Sequence, residues 1–382
     1  MDNRALKIAF LTNVIPPYHK AFLDCLAKRH EMRVLLSTPM EPNRSWKLEW
    51  DGLDVVTQKT LTLSGRWRHP RGFTEPLFLH IPIDTVAQLR RFGPDVTISV
   101  EMGARTLFAA LYRKLRRRSK LIVWAEVAES TEQARGWIRN RVRHLLHKNA
   151  DGFLVTGTSG VQYLRSLGVD EAKIFKISYT ADVSKFAATP LARRPGCERH
   201  LLYVGQLIER KGLLPFLDVL SKWARANPDR RVEFVLAGDG PLRNQIERLE
   251  KPSNIEVSFA GAVQYEDLPR VYTDAGVFVL PSLADSWGVV VNEAMAAGLP
   301  VLGSVYAQAV SEMVKDGENG WVFRADDPDE IYDAIDRTLN TSPERLQRMR
   351  HCARTRALQF TPDHLACAVE NAVNACMAMG AR

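Results

Sequence analysis

Short apolar strand patterns alternate with helical patterns along the first half of the chain. The apolar runs are continuous, which is typical of parallel strands covered on both faces. Strand–helix alternation of this kind favours a doubly wound α/β fold. The predicted strands cover residues 8–11, 33–36, 95–100, 121–124 and 152–156, and the predicted helices cover 19–28, 105–117, 138–148 and 159–167.

The same alternation restarts after a segment rich in proline, arginine and glycine at residues 190–198, which is predicted to be a linker. We therefore expect two Rossmann-like domains, residues 1–189 and 199–363, with a C-terminal helix at about 364–382 that packs back on the first domain. Ligands of such sheets bind at the carboxyl ends of the strands, so the site is expected in a cleft between the domains. In the second half, strands are predicted at 200–204, 232–237, 255–260, 277–280 and 299–302, and helices at 213–226, 241–249, 291–297 and within 328–379.

Length and composition agree with this organisation. The chain has 382 residues, of which 46% are hydrophobic and 25% charged, which excludes collagen, low-complexity disorder and small disulfide scaffolds. Its apolar stretches are shorter than the roughly 18 residues that span a bilayer, and no signal peptide is visible. The five cysteines are odd in number and scattered, a pattern that suits a reducing compartment. We expect a cytoplasmic protein.

Charge is distributed unevenly between the halves. Residues 1–190 carry 30 Lys and Arg against 18 Asp and Glu, a net charge of +12, whereas residues 191–382 carry 22 against 26, a net charge of −4. The basic half should face an anionic partner.

The densest set of polar residues lies in residues 281–300, where a strand is followed by a polar loop and a helix that begins near Gly288. The free N–H groups of Gly288 and Val289 could hold a phosphate. Asp285 precedes this helix and Glu293 lies within it, where a carboxylate can accept two hydrogen bonds from a ribose diol. Alternatively, Asp285 or Ser286 caps the helix and Glu293 is a solvated residue.

This segment resembles the corresponding segment of the family-4 retaining glycosyltransferases with the GT-B fold. That family has a Glu-x7-Glu motif between a Pro-Ser strand end and an Ala-x-Ala-x-Gly-x-Pro stretch, matched here by Pro281-Ser282 and by residues 294–300. The resemblance implies that Glu293 binds the ribose and that Asp285 contacts hydroxyls of the donor sugar. Asp285 is one methylene shorter than the family's residue.

Residues 203–212, Tyr-Val-Gly-Gln-Leu-Ile-Glu-Arg-Lys-Gly, resemble the family's loop that binds the donor diphosphate. The resemblance assigns Gly205 and Lys211 to that site. Gln206 stands where the family usually has arginine, and Arg210 is a candidate for the missing cation. Fixed cations would stabilise the phosphates that leave with the nucleotide. The alternative for Arg210 and Lys211 is a solvated pair in a loop.

In the first half, an acidic residue follows the strand 121–124 at the position where the family often has a histidine or an acid near the reacting carbon. Glu126 is the first candidate and Glu129 the second, with a capped or exposed glutamate as the alternative. Tyr18 and His19 follow the first strand and could line the acceptor side. His19 could equally be a surface residue.

Asp327-Pro-Asp329 has the Asp-x-Asp pattern that binds metal in a different class of transferases. Proline and acids in a first turn are typical of a helix start, so we interpret it as one. The family characteristically needs no metal, and no cofactor is expected besides the nucleotide-sugar substrate, of UDP or GDP type.

Six cations lie within residues 113–120, and a basic amphipathic segment follows at 135–148, with Arg139, Arg141, Arg143 and Lys148 beside Ile138, Val142, Leu145 and Leu146. A surface of this kind binds anionic lipid headgroups, and the alternative is a solvated face. No stacking motif accompanies the charge, so nucleic acid is not expected. We predict peripheral contact with the inner face of the cell membrane.

The resemblance implies a metal-independent, retaining transfer of a sugar from a nucleoside diphosphate to a glycan or a lipid-linked saccharide, in bacterial surface polysaccharide or glycolipid synthesis. Asp285, Lys211 and Glu126 are the candidate catalytic residues. Two alternatives remain open, namely a sugar-nucleotide epimerase with the GT-B fold and an inactive scaffold that binds nucleotide sugar or membrane.

Overall fold

The structure is a computed structural model that describes residues 5–42, 44, 46, 50–134 and 136–379. The chain divides into two compact units. The first contains the chain up to Pro70, Glu75–Tyr179 and the segment from Pro362 onward, and the second contains Arg71–Thr74 and Thr180–Thr361. The predicted linker, residues 190–198, therefore lies inside the second unit, and the division falls at Tyr179 instead.

The first unit is built on a seven-stranded sheet with the strand order β3-β2-β1-β6-β7-β8-β9. All pairs in this sheet are parallel. The strands of this unit are β1 Lys7–Thr12, β2 Glu31–Leu36, β3 Val55–Thr57, β4 Thr60–Arg68, β5 Thr74–Pro82, β6 Val96–Val100, β7 Lys120–Ala125, β8 Gly152–Thr156 and β9 Ile174–Ile177. The central strands are buried on both faces, which explains their continuous apolar sequences.

Helices connect and cover these strands. They are α1 Pro17–Ala27, α2 Thr85–Phe92, α3 Ala104–Leu115, α4 Trp137–Asn149 and α5 Gly157–Ser166. The last described helix of the chain, α14 Pro362–Ala378, also belongs to this unit and packs on α1 and on β7, β8 and β9. Residues 380–382 of the predicted C-terminal helix lie outside the described residues.

Strands β4 and β5 form a separate two-stranded sheet. Residues 69–73 join them, a connection too short for a parallel crossover, so the pair is a hairpin. This hairpin is not among the strands predicted from the sequence.

The second unit has a six-stranded parallel sheet with the order β12-β11-β10-β13-β14-β15. Its strands are β10 His200–Val204, β11 Val232–Ala237, β12 Ile255–Gly261, β13 Val277–Leu280, β14 Val301–Ser304 and β15 Gly320–Phe323. Its helices are α6 Val183–Ala187, α7 Leu213–Ala226, α8 Arg243–Arg248, α9 Leu268–Thr273, α10 Val290–Ala296, α11 Gln308–Met313, α12 Pro328–Leu339 and α13 Pro343–Ala357. The prediction of a doubly wound α/β fold used twice is confirmed.

In the part of the chain that the structure describes, no helix is both long enough and apolar enough to cross a membrane.

Candidate functional site

The candidate donor residues of the second unit lie on two loops that leave neighbouring strands. Strands β10 and β13 pair in parallel, so their carboxyl ends open at the same edge of the sheet. The loop after β10 carries Arg210 and Lys211 in a 3-10 turn, and the loop between β13 and α10 carries Asp285. The strand order changes direction at β10 and β13, which is where open parallel sheets bind ligands.

Lys211 and Asp285 form a direct ion pair, and Arg210 Nη1 lies 3.6 Å from the other carboxylate oxygen of Asp285. Arg210 Nη1 also donates to the carbonyl oxygen of Ala284 at 3.0 Å. Burial by itself would raise the pKa of Asp285, but Lys211 and Arg210 together hold that pKa below its usual value. The structure thus brings these three predicted residues together, and the two cations are not a solvated pair.

Gly212 allows the two loops to approach each other. Its φ is +66°, and a Cβ at this position would lie 2.0 Å from the carbonyl oxygen of Pro281. Leu283 N completes the contact by donating to the carbonyl oxygen of Arg210 at 2.8 Å. Glycine is therefore required here both for the backbone conformation and for space.

Glu293 lies in α10 and is 2% exposed, so it is not a solvated residue. Tyr272 donates a hydrogen bond to Glu293 Oε2 at 2.9 Å. Burial raises the pKa of Glu293 to about 7, although the Tyr272 hydrogen bond works in the opposite direction. A buried carboxylate that titrates near neutrality is a candidate functional group, because burial without a charged partner is costly.

The other predicted binding residues of this unit are backbone positions. Gly205 directly follows β10, and its N–H donates to the carbonyl oxygen of Ala237 at 2.9 Å. Gly288 has a φ of +92° at the end of the Asp285 loop, and Val289 is the N-cap of α10. Neither Asp285 nor Ser286 caps this helix, contrary to the alternative interpretation.

In the first unit, Glu126 directly follows β7 and accepts a hydrogen bond from Tyr179. Burial, followed by the neighbouring charges of Glu101 and Glu41, raises the pKa of Glu126 to about 8, and Arg105 opposes this rise. Glu129 is exposed on a 3-10 turn, which makes it the weaker of the two candidates.

His19 is 3% exposed, so the alternative of a surface histidine is wrong. Its ring stacks on Tyr179 with centroids 4.9 Å apart, and Tyr18 packs edge-on against it. Burial lowers the pKa of His19 to about 3, so the ring is neutral. Within the described residues neither ring nitrogen has a hydrogen-bond partner.

The structure places Glu101 and Arg105 near Glu126, and the sequence motifs predicted neither. Glu101 follows β6 and adopts a φ of +67°, which is uncommon for a residue other than glycine. Its carboxylate accepts from Asn13 Nδ2 at 3.1 Å, and Asn13 Oδ1 in turn accepts from the buried Arg105 at 2.6 Å. The available signal was the position of Glu101 at the carboxyl end of a predicted strand, beside Asn13 after β1.

The basic segments map to α3, α4 and the turn after α3. Among the described side chains of these helices, four large apolar ones are exposed, namely Leu111, Leu115, Trp137 and Leu145. Arg143, predicted to lie on the basic surface, is 1% exposed and pairs with Glu132 instead, because its position on α4 faces the core. Arg135 and the side chain of Ile138 lie outside the described residues.

Asp327 caps α12, because its side chain accepts hydrogen bonds from the N–H groups of Asp329 and Glu330, and Pro328 occupies the first turn. The interpretation of this motif as a helix start is confirmed. Among the residues that the structure describes, no group of histidine, cysteine and acidic side chains could hold a metal ion.

Comparison with protein-family models gives two matches, which fall on the two halves of the chain. Residues 17–180 match the model described as "Glycosyl transferase 4-like domain". Residues 198–341 match the model described as "Glycosyl transferases group 1". The second match contains every candidate donor residue described above.

Similar individual proteins are also glycosyltransferases. Alpha-D-kanosaminyltransferase of Streptomyces kanamyceticus is 28% identical over 54% of this chain and 55% of its own length. An alpha-1,4-N-acetyl-D-galactosaminyltransferase of Campylobacter jejuni, named for an undecaprenol-linked saccharide, is 27% identical over 44% of this chain and 46% of its own. The chain thus aligns with about half the length of these curated relatives. A crystal structure of Anabaena HepE with UDP and glucose has a TM-score of 0.70 at 17% identity, and covers 97% of this chain and 99% of that one.

Proposed function

The chain belongs to the family-4 glycosyltransferases with the GT-B fold, and on this premise we propose that it transfers a sugar from a nucleoside diphosphate to a glycan or lipid-linked saccharide. The observation that carries the proposal is the cluster of Arg210, Lys211 and Asp285, together with the buried Glu293 on α10, the helix that follows the Asp285 loop. No sugar acceptor is needed to test this donor site.

In the proposed donor complex, Lys211 and Arg210 bind the diphosphate and stabilise its charge as the sugar–phosphate bond breaks. Asp285 is held as a carboxylate by the same two cations and accepts hydrogen bonds from sugar hydroxyls. Glu293 accepts hydrogen bonds from the ribose, and the backbone of Gly205, Gly288 and Val289 borders the phosphates. The UDP and glucose named for Anabaena HepE support a donor of this chemical class.

We propose that Glu126 acts on the acceptor side and that the transfer retains the anomeric configuration. As a carboxylate, Glu126 can take the proton of the incoming hydroxyl, and Tyr179 holds the carboxyl group in place. Since the pKa of Glu126 is about 8, its basic form increases as the pH rises toward that value. The reaction draws on no metal in this proposal, since Lys211 and Arg210 supply the positive charge.

The proposed acceptor class includes lipid-linked saccharides, so the enzyme would work at an anionic membrane surface on the cytoplasmic side. The support is the exposed Leu115, Trp137 and Leu145 beside the cations of α3 and α4. Apolar side chains flanked by cations are the pattern by which helices bind anionic headgroups. The undecaprenol-linked substrate in the name of the Campylobacter jejuni relative points to the same class of acceptor.

The first test is thermal stabilisation of the full chain by UDP, GDP and their sugar conjugates. A ligand at about 100 times its Kd stabilises the folded state by about 2.7 kcal/mol, which a melting curve resolves. We expect one nucleotide to raise the Tm of the wild type. The same nucleotide should leave the Tm of Glu293→Ala unchanged.

The matched control is Glu256→Ala, because Glu256 is an exposed glutamate of the same unit. It should respond to the nucleotide as the wild type does. Failure of every nucleotide to stabilise the folded wild type would contradict the proposal. Conversion of the sugar nucleotide without any acceptor, followed by NMR, would favour an epimerase instead.

A further inference from the structure

The hairpin of β4 and β5 exposes a row of aliphatic side chains. Leu61 and Leu63 of β4 are 56% and 49% exposed, and Leu77 and Leu79 of β5 are 36% and 47% exposed. Ile83, just beyond β5, is 66% exposed. Large apolar side chains that are exposed together mark an interaction surface on a protein.

These leucines share one face of the hairpin. Thr62 Oγ1 lies 2.8 Å from His80 Nδ1, so these two side chains are on the same face. Side chains alternate along a strand, so Leu61, Leu63 and Leu79 point to the opposite face. We call the face formed by Leu61, Leu63, Leu77 and Leu79 the leucine face.

The opposite face of the hairpin carries polar side chains, of which Thr62 is exposed and His80 is 7% exposed. Exposure of four leucines to water is unfavourable, because the hydrophobic effect favours the burial of apolar surface. The leucine face is therefore suited to an apolar partner.

Charge distinguishes the possible partners. Residues 59–83 contain Lys59, Arg66, Arg68 and Arg71 against Glu75 alone among the acidic residues, a net charge of +3. Lys59, Arg66 and Arg68 are exposed. A second copy of the chain packed by two-fold symmetry would bring the same cations together, which is unfavourable. An anionic bilayer supplies both hydrocarbon for the leucines and negative charge for the cations.

We propose that the leucine face inserts into the hydrocarbon boundary of an anionic membrane, while Lys59 at its edge contacts the headgroups. Arg66 and Arg68, on the other face of the hairpin, add to the positive charge that attracts the membrane. This inference deepens the membrane contact proposed above and rests on it. It adds a second contact that is formed by a sheet rather than by α3 and α4.

The test measures binding of the full chain to phosphatidylcholine vesicles with and without phosphatidylglycerol, by flotation over a range of lipid concentrations. The test variant is Leu63→Ser/Leu79→Ser, and the matched control is Leu358→Ser/Met379→Ser, which changes two exposed apolar residues elsewhere (46% and 48% exposed). Both variants alter surface positions, so both should melt like the wild type.

We expect the wild type and the control to bind vesicles that contain phosphatidylglycerol, and the hairpin variant to bind at least about ten-fold more weakly. Hydrogen exchange of residues 60–82 should slow when vesicles are added to the wild type. Equal binding by wild type and hairpin variant would overturn the inference and leave the helical contact intact. Absence of binding by the wild type would overturn both membrane contacts but not the donor site. A dimer of the wild type that the hairpin variant abolishes would identify a second copy as the partner instead.

Discussion

Asp285 and Glu293 are two buried carboxylates of the second unit whose pKa values shift in opposite directions. Lys211 and Arg210 outweigh the effect of burial at Asp285, so its pKa is lowered. Glu293 accepts a hydrogen bond from the Tyr272 hydroxyl, and no cation contributes to the shift of its pKa. Burial therefore dominates, and the pKa of Glu293 rises to about 7. The two side chains therefore carry different charges near neutral pH, which suits different roles toward a ligand.

The raised pKa of Glu293 predicts a pH-dependent stability. An unfolded glutamate titrates near 4.5 and the folded one at about 7, so the unfolded chain binds fewer protons between these values. The free energy of unfolding of the second unit should therefore fall by about 3 kcal/mol as the pH rises through this interval, relative to Glu293→Gln. Denaturant unfolding at pH 4.5 and 8 measures this difference.

Glu256→Gln is the control for this experiment, because Glu256 is 59% exposed. Its pH profile should parallel that of the wild type. A Glu293→Gln profile with the same slope as the wild type would show that Glu293 titrates normally.

The sequence predicted more of the candidate donor cluster than of the residues around Glu126. Asp285 and Glu293 occupy positions of a motif whose spacing is visible in the chain, and Lys211 lies in a second segment, 203–212, that resembles the family's diphosphate loop. Glu101 has no such motif, and its link through Asn13 to the buried Arg105 depends on how the ends of β1 and β6 meet the start of α3. Sequence patterns report periodicity along one element, whereas this contact joins residues that lie far apart in the chain.

Prediction of helices and strands from the sequence likewise depends on a pattern that is visible along one element. The central parallel strands were predicted because their buried apolar runs are continuous. The hairpin was missed because its strands mix exposed leucines with threonine, serine, arginine and glycine. Strand β9 contains the exposed Lys176 and strand β15 begins with Gly320, so neither has the continuous apolar run by which β13, equally short, was predicted.

The loop after β10 depends on one glycine. Gly212→Ala places a methyl group against the carbonyl oxygen of Pro281 and forces alanine into a positive φ. We expect a loss of about 2–4 kcal/mol in the stability of the second unit, measured by denaturant unfolding, and weaker nucleotide binding because Lys211 is adjacent.

Gly261→Ala separates the cost of a positive φ from the cost of the steric contact with Pro281. Gly261 also has a positive φ, of +71°, but no atom lies within 4 Å of the position of its Cβ. This variant should lose about 1 kcal/mol, the cost of the backbone conformation alone. Equal losses for the two variants would show that the approach to Pro281 is unimportant.

Each unit of the molecule has its own sheet, but the first unit takes its last helix from the far end of the chain. Val369 lies in α14 and is fully buried. Val369→Asp places an unpaired charge in this core, so we expect the first unit to lose several kcal/mol of stability. Hydrogen exchange should accelerate in β7, β8 and β9 and remain slow in β10, β11 and β13.

Asn374→Asp introduces the same charge at an exposed position of α14. It should leave hydrogen exchange unchanged in both units. Faster exchange throughout both sheets of Val369→Asp would show that the two units unfold together.

The position of α14 also determines the order in which the protein can mature on the ribosome. Strands β1 to β9 are synthesised first, but the surface of β7, β8 and β9 that α14 covers stays open until the whole second unit has been translated. The second unit, by contrast, contains all the strands of its sheet between Thr180 and Thr361. The half of the protein that is translated first is therefore the half that is completed last, and its nascent form exposes apolar surface to chaperones while about half of the chain is still being translated.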